Sequence, residues 1–219
     1  MSLDGYLDGA TAERLVLSNE ADLRRVDHVR ARSDAILVGA ATVRADNPRL
    51  LVRDPELRLE RRGRGLGETP TKVTVTARGE LDACSNFFTA GDGEKIVYCA
   101  SRSVRSLRRR LAAVATVVDA GEPVEVPRLA ADLYERGVRR LMVEGGGRVH
   151  TQFLTTGTAD ELHLVVAPFF VGTSRARRFV DDGAFPWNPA HRARLVETCQ
   201  IGDVVLLRYA LSSRFEATA

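Results

Sequence analysis

One stretch, residues 139–152 with the sequence RRLMVEGGGRVHTQ, limits the folds open to this chain more than any other. Leu141, Met142 and Val143 make a short apolar run bounded by arginines and glycines, which fits a buried parallel strand better than a helix. Glu144 stands at the carboxyl end of that strand. Gly145, Gly146 and Gly147 follow, and residues without a Cβ let a backbone turn sharply and approach a ligand closely. A helix is expected to begin near Arg148. Its first N–H groups lack partners inside the helix and make a ready anion site, and in open α/β sheets ligands gather at the carboxyl ends of strands. A glycine triplet is equally the mark of a bare strand-to-helix connection. The acid beside it favours a ligand, because a carboxylate there is costly unless something uses it. Glu144 is alternatively a partner for the dipole of the turn that follows.

The rest of the chain supplies the elements such a strand needs. MSLDGYLDG reads as the end of a strand followed by two Asp-Gly turns, with too few residues ahead of the turn to pair usefully, so the first strand reads as truncated. Ser18 and Asn19 begin a helix whose apolar positions are Leu23, Val26 and Val29, with Arg24, Arg25 and Arg30 on or near its polar side. Residues 34–39, DAILVG, form a compact strand that stops at a glycine, and GAATVRADNPRL follows it. Here Thr42 offers a hydroxyl, while Asp46, Asn47 and Arg49 are read as turn chemistry on their own. Residues 53–69 are charged, glycine-rich and without periodicity, which implies an exposed excursion. Strands are expected at residues 72–76, 95–99 and 114–118, and Phe87 and Phe88 in the core. Residues 101–111 read as a basic helix at whose start Ser101 and Arg102 can meet a nucleotide phosphate. Another helix starts at Pro127 and ends at Gly137. Two last strands, one opening ELHLVV and one over residues 204–211, flank a polar excursion from Gly172 to Gly202 and are expected to pair. Strands alternating with helices and finished by two strands alone imply an α/β fold.

Bulk numbers exclude several classes. In 219 residues, a 44% hydrophobic and 28% charged composition is that of a globular protein, and no apolar run reaches the length of a membrane span. One domain over residues 1–219, without membrane association and in the cytoplasm, is expected. The net charge of +3 arises from arginines interleaved with acids and only two lysines, Lys72 and Lys95, which is no nucleic-acid footprint. Cys84, Cys99 and Cys199 lie far apart and outside any metal-ligand spacing, so they read as buried reduced thiols with no metal site. His28, His150, His163 and His191 read as structural or exposed rather than catalytic.

SLDG, DAILVGAATVRADNPRL, VEGGG and DELHLVVAPFFVG, in this order, resemble the reductase domain of riboflavin biosynthesis. The resemblance runs from Ser2 to about Tyr209. It implies a dihydrofolate-reductase-like α/β fold, with a mostly parallel central sheet, helices on both faces and an antiparallel C-terminal edge. It implies an oxidoreductase in which NADPH reduces 5-amino-6-(5-phosphoribosylamino)uracil to the ribitylamino product, hydride attacking C1′ of the opened ribosyl imine. Carried over by position, Thr42 and Asp46 match cofactor contacts. Gly146, Gly147, Arg148, Val149, His150, Thr151 and Gln152 match the glycine loop and helix start that hold the cofactor's pyrophosphate. Arg30, Leu50, Arg53 and Glu144 match substrate positions, the two arginines for a sugar phosphate and Glu144 for polar groups. Asp46 and Glu144 are the expected catalytic residues, Asp46 as a proton relay. The resemblance also implies a homodimer. The deaminase often fused to this domain has no H-x-E with P-C-x-x-C here, so it is expected on a separate chain.

Two departures separate this chain from the family pattern. Arg14, Leu15 and Val16 stand where the family often has a serine and tryptophan, and Thr76-Ala77 stands where an Asp-Ser pair is common. Arg78 is a candidate replacement for the second pair at the cofactor's 2′-phosphate. The first departure leaves room for a same-fold reductase of another nucleotide-like or pterin substrate. A non-catalytic nucleotide-binding protein is the third possibility, since fold alone does not fix function.

Overall fold

The computed structural model describes residues 1–9 and 15–215, so Arg14 lies outside the described residues. The chain forms two compact units, Val26–Gly146 and Met1–Arg25 with the chain from Gly147 onward. The first helix, α1 (Glu20–Arg32), belongs in part to each. Asn19 caps it, its Oδ1 accepting from the Asp22 N–H at 2.9 Å. Its buried positions are not the apolar ones expected: Leu23 is 40% exposed, whereas Asp22, Asp27 and Ala31 are buried. Both acids are satisfied where they lie, Asp22 by Ser18 and Arg25 and Asp27 by backbone N–H groups, which makes a polar inner face tolerable.

In the unit from Val26, five parallel strands run β1 (Ala35–Gly39), β2 (Thr71–Thr76), β3 (Lys95–Cys99), β4 (Thr116–Asp119) and β5 (Leu141–Gly145), in the spatial order β4-β3-β2-β1-β5. Strand alternation sorts their side chains. Ile36, Val38, Val97, Cys99 and Val117 form one core with Phe87 and Phe88 of α4 (Asn86–Thr89) and Leu107 and Leu111 of α5 (Val104–Leu111), which a 3-10 turn, Ser101–Ser103, precedes. On the opposite face Tyr98 reaches α6 (Val126–Glu135), its hydroxyl donating to Asp132 at 2.5 Å. Helices therefore cover both faces of this sheet. Each side chain wholly buried this way contributes about 1.5–3 kcal/mol. Lys72, fully buried, points into the first face and donates to the carbonyls of Phe87 at 3.2 Å and Ala90 at 2.5 Å, tying α4 to β2.

Two helices complete this unit. α2 (Ala40–Asp46) leaves β1 directly. α3 (Pro55–Gly63) occupies the segment read as an irregular excursion. Asp54 caps it through the Glu56 N–H at 2.8 Å, Pro55 stands in its first turn, and Leu57 packs with Ala31 and Val52. Its Arg61 is buried and donates to the carbonyls of Gly67, Ala31 and Ser33 at 2.7–2.8 Å.

The other unit holds α7 (Gly147–Thr155) and an antiparallel sheet of β6 (Glu161–Val166), β7 (Arg194–Ile201) and β8 (Val204–Ala210), ordered β6-β8-β7. β6 and β8 pair as expected, with Val165 opposite Leu206, and the two form a sheet with β7 in place of a simple edge. β7 lies inside the span read as a polar excursion. Residues 1–9 form a turn with an isolated bridge from Tyr6 to Arg178. Asp4 binds the N–H groups of Val171 and Gly172, and the Ser2 hydroxyl together with those N–H groups holds its carboxyl down at about 2. Of the three thiols read as buried only Cys99 is, its pKa pushed up to about 11 by burial; Cys84 is exposed and Cys199 intermediate. No helix among the described residues is long and apolar enough to cross a membrane.

Candidate active site

The strand order reverses between β1 and β5. From β1 the chain adds β2, β3 and β4 on one side, and β5 then lies on the other side of β1. Such a switch point leaves a crevice at the carboxyl ends of the two strands. Thr42, in the first turn of α2, and Gly146, just after β5, meet there: a Cβ on Gly146 would lie 3.1 Å from Thr42 Oγ1. Gly145 and Gly146 take φ of +131° and +35°, conformations open to glycine. The Thr42 hydroxyl has no hydrogen-bond partner among the described residues. Asp46, at the end of α2, is exposed, and its carboxylate likewise makes no hydrogen bond or ion pair among them.

Glu144 occupies a bulge. Leu37 is opposite Val143 and Val38 is opposite Gly145, which leaves Glu144 as an extra residue in β5 and frees its side chain from the ladder. Its two oxygens accept from Nε and Nη2 of Arg30, each at 2.6 Å. Both side chains are largely buried, at 15% and 12% exposure. Burial acts to lower the Arg30 pKa, and the bonds and charge of Glu144 outweigh it, so Arg30 titrates above its usual value. Arg30 also donates to the Leu51 carbonyl at 3.2 Å. The arginine expected at a sugar phosphate is thus committed first to the acid expected beside it.

The segment after α2 is held in an uncommon conformation. Asn47 and Leu50 both have positive φ, +42° and +49°, and Leu50 is nonetheless buried. A left-handed leucine costs on the order of 1 kcal/mol or more, and persists only where its surroundings over-determine it. Asp27 provides part of that determination: its carboxylate accepts from the Arg53 N–H at 2.9 Å and the Asp54 N–H at 2.8 Å. The guanidinium of Arg53 is exposed, with no side-chain partner among the described residues. Asp27 escapes a search for ligand-binding residues because its role is exerted through backbone. Its one sequence signal is an acid placed four residues before the buried Ala31.

In the other unit, α7 opens at Gly147. A Cβ there would lie 2.5 Å from the Arg178 carbonyl oxygen, so the helix start admits no other residue without backbone movement. Thr151 Oγ1 donates to the Gly147 carbonyl and accepts from the Asp181 N–H, both at 2.8 Å. Val149 is buried, and the His150 Nδ1 is 3.1 Å from the Phe179 carbonyl, which makes it the protonated nitrogen. Burial lowers the His150 pKa, which favours the neutral ring. Val149, His150 and Thr151 therefore spend their side chains within the unit, which leaves the backbone N–H groups of this turn as what it can offer. Arg148 and Gln152 are exposed. Among the described residues no group of three or more His, Cys, Asp or Glu can hold a metal.

Residues 1–207 match the model of the RibD C-terminal domain. The chain is 34% identical over 216 residues to the 2,5-diamino-6-ribosylamino-4(3H)-pyrimidinone 5′-phosphate reductase of Archaeoglobus fulgidus, covering 98% of this chain and 94% of that one. It is 34% identical over 218 residues to the protein of the same name from Methanothermobacter thermautotrophicus, covering 96% and 94%. Among solved structures, Acinetobacter baumannii RibD superimposes with a TM-score of 0.72 at 24% identity, over 95% of this chain. The chain spans about half of that protein, 55% of its length.

Proposed function

As the chain belongs to the RibD C-terminal domain family, we propose that it is a reductase of a phosphorylated ribosylaminopyrimidine in riboflavin biosynthesis, using NADPH. The observation that carries this reading is the meeting of Thr42 and Gly146 at the switch point, beside the paired Arg30 and Glu144. The residues fit a nicotinamide dinucleotide: an unpartnered hydroxyl beside glycine backbone and a helix N-terminus restricted to glycine are what a pyrophosphate needs. Within the unit from Val26, Thr42, Asp46 and Gly146 would hold it; in the other unit, α7 offers the N–H groups of Gly147 to Gln152. When bound, the reduced nicotinamide supplies hydride to C1′ of the opened ribosyl imine.

The chain's own residues do the rest. Arg53 presents an uncommitted guanidinium to the sugar phosphate from a loop that Asp27 fixes. Leu50, held left-handed, closes one wall of the substrate site. Glu144, oriented by Arg30, keeps lone pairs for the amino and ring N–H groups of the pyrimidine. Asp46, exposed and unpartnered, relays the proton. The enzyme works as a cytoplasmic homodimer.

Two bases compete as substrate, the 2,5-diaminopyrimidinone and 5-amino-6-(5-phosphoribosylamino)uracil. The names of the two archaeal relatives favour the first. The deciding experiment mixes the purified protein with NADPH and each compound, follows loss of reduced-cofactor absorbance and weighs the product. A gain of two hydrogens, lost in Arg53→Ala, supports the reading, and the faster substrate identifies the base. Cofactor binding without turnover of either would overturn the assignment of substrate, and absence of dinucleotide binding the assignment of function.

A further inference from the structure

α4 is too short to hold itself. It has four residues, Asn86–Thr89, in the connection between β2 and β3. A helix leaves the N–H groups of its first turn and the C=O groups of its last without internal partners, and a single turn has little else. Its own N-cap does not supply them: Ser85 makes no side-chain capping bond, and its hydroxyl is buried without a partner among the described residues. Both ends are met from other elements instead. Asn47 Oδ1 accepts from the Asn86 N–H at 2.7 Å, and Asn86 Nδ2 donates back to the Asn47 carbonyl at 3.2 Å. At the far end Lys72, fully buried in β2, holds the carbonyls of Phe87 and Ala90.

The reciprocal bonds reach the candidate substrate loop. Asn47 is the residue at which α2 stops, with a left-handed φ of +42° and its N–H donating to the Val43 carbonyl at 3.1 Å. Asparagine tolerates that backbone better than most residues. Asp46, before it, is still held by the helix, whereas residues 47–54 form neither helix nor strand and carry Leu50 and Arg53. Asp27 binds this stretch at its far end. Asn86 binds it at the near end, and the residues between lie against α4 and the turn after it. Leu50 shares one core with Phe87 and Phe88, and a Cβ on Gly91 would lie 2.9 Å from Leu51 Cδ2. A series of contacts thus runs from a buried lysine in a central strand, through α4, to the loop, all within the unit Val26–Gly146.

We propose that Asn86 and Asn47 are a positioning pair for the reductase reaction: through them α4 fixes the near end of the loop and so the place where Arg53 meets the sugar phosphate. This rests on the reductase reading above and brings the β2–β3 connection into the site. Neither asparagine touches substrate; both act through the loop.

The test is steady-state kinetics of the full chain with NADPH and whichever of the two pyrimidines wild type turns over faster, together with NADPH binding by calorimetry. Wild type is compared with Asn86→Ala, with Asn47→Gly, which keeps the left-handed backbone and removes the accepting oxygen, and with Asn47→Asp, which keeps both. Thr89→Ala is the control on α4 itself, since its hydroxyl bonds only to the Ser85 carbonyl, at 3.2 Å. Asn86→Ala and Asn47→Gly are each expected to raise KM for the pyrimidine on the order of 3- to 10-fold, the range for one neutral hydrogen bond, with kcat and the Kd for NADPH within about twofold. Asn47→Asp and Thr89→Ala are expected to match wild type. In an Arg53→Ala background the penalty of Asn86→Ala should shrink to within about twofold, which a general loss of folding would not produce. An unchanged KM in both variants, an equal loss of NADPH affinity, or a full penalty retained without Arg53 would overturn the proposal and leave the reductase reading intact. Failure of wild-type protein to oxidise NADPH with either pyrimidine would remove both.

Discussion

Arg30 grips Glu144 through two parallel hydrogen bonds of 2.6 Å, joining α1 to the bulge of β5 across 114 positions of sequence. Removing either partner strands a largely buried charge. Glu144→Ala and Arg30→Ala are each expected to cost about 3–5 kcal/mol in urea unfolding, and the double replacement by methionine to recover much of that. A cost below about 1 kcal/mol for both single variants would mean the pair is screened like a surface bridge. Activity measured on Glu144 variants must therefore be divided by the folded fraction.

Asp27 acts on the candidate substrate loop from beneath. Asp27→Asn keeps its shape but replaces one accepting oxygen with a donor facing the Arg53 and Asp54 N–H groups. The expected loss is about 1–3 kcal/mol of stability, with the larger effect on KM for the phosphorylated substrate than on kcat. An unchanged KM would separate Asp27 from the substrate loop.

Gly147→Ala places a methyl against the Arg178 carbonyl, a backbone atom that cannot swing away. A destabilisation of about 1–3 kcal/mol and weaker dinucleotide binding are expected. Gly67→Ala, where the nearest atom is 3.5 Å away, is the control and should stay within about 0.5 kcal/mol by thermal unfolding.

Lys72 gives the stability curve an alkaline limb. Burial first, then the charge of Lys95, lowers its pKa to about 8, against 10.5 for a free lysine. Between those values the unfolded chain binds the proton that the native state has released, so this residue's contribution to stability rises with pH, by at most about 1.4 kcal/mol per unit. Below about pH 8 both states are charged and the contribution is flat. The difference between wild type and Lys72→Met, followed by denaturant unfolding from pH 7 to 11, should show that rise, and a constant difference would place the ammonium in water.

Sheet and glycine turn were legible because their signals are local. β-branched runs mark β2 and β3, and three consecutive glycines mark the passage from β5 to α7. α3 was not, because its buried side holds only Leu57 and Arg61 and the pattern of charge hid the turn of helix around them. Asp54 and Pro55 were the available signal. β7 was hidden the same way, by polar residues in a strand that is half exposed. In the site, sequence names residues by position but not what they spend their bonds on. That Arg30 belongs to Glu144, and that Asp27 holds the loop of Arg53, depends on contacts between distant segments, which no local pattern encodes.

The extra residue in β5 puts the length of that strand under constraint, apart from its composition. Leu141, Met142 and Val143 need only stay apolar to keep their places beside β1, and exchange among them costs little more than repacking. Losing a single codon there is another matter. An even ladder would re-form, the parity of every following side chain would flip, and the carboxylate would be carried off its arginine while the sheet remained whole. Such a protein would keep its sheet and leave Arg30 without its carboxylate, at a cost in stability of about 3–5 kcal/mol.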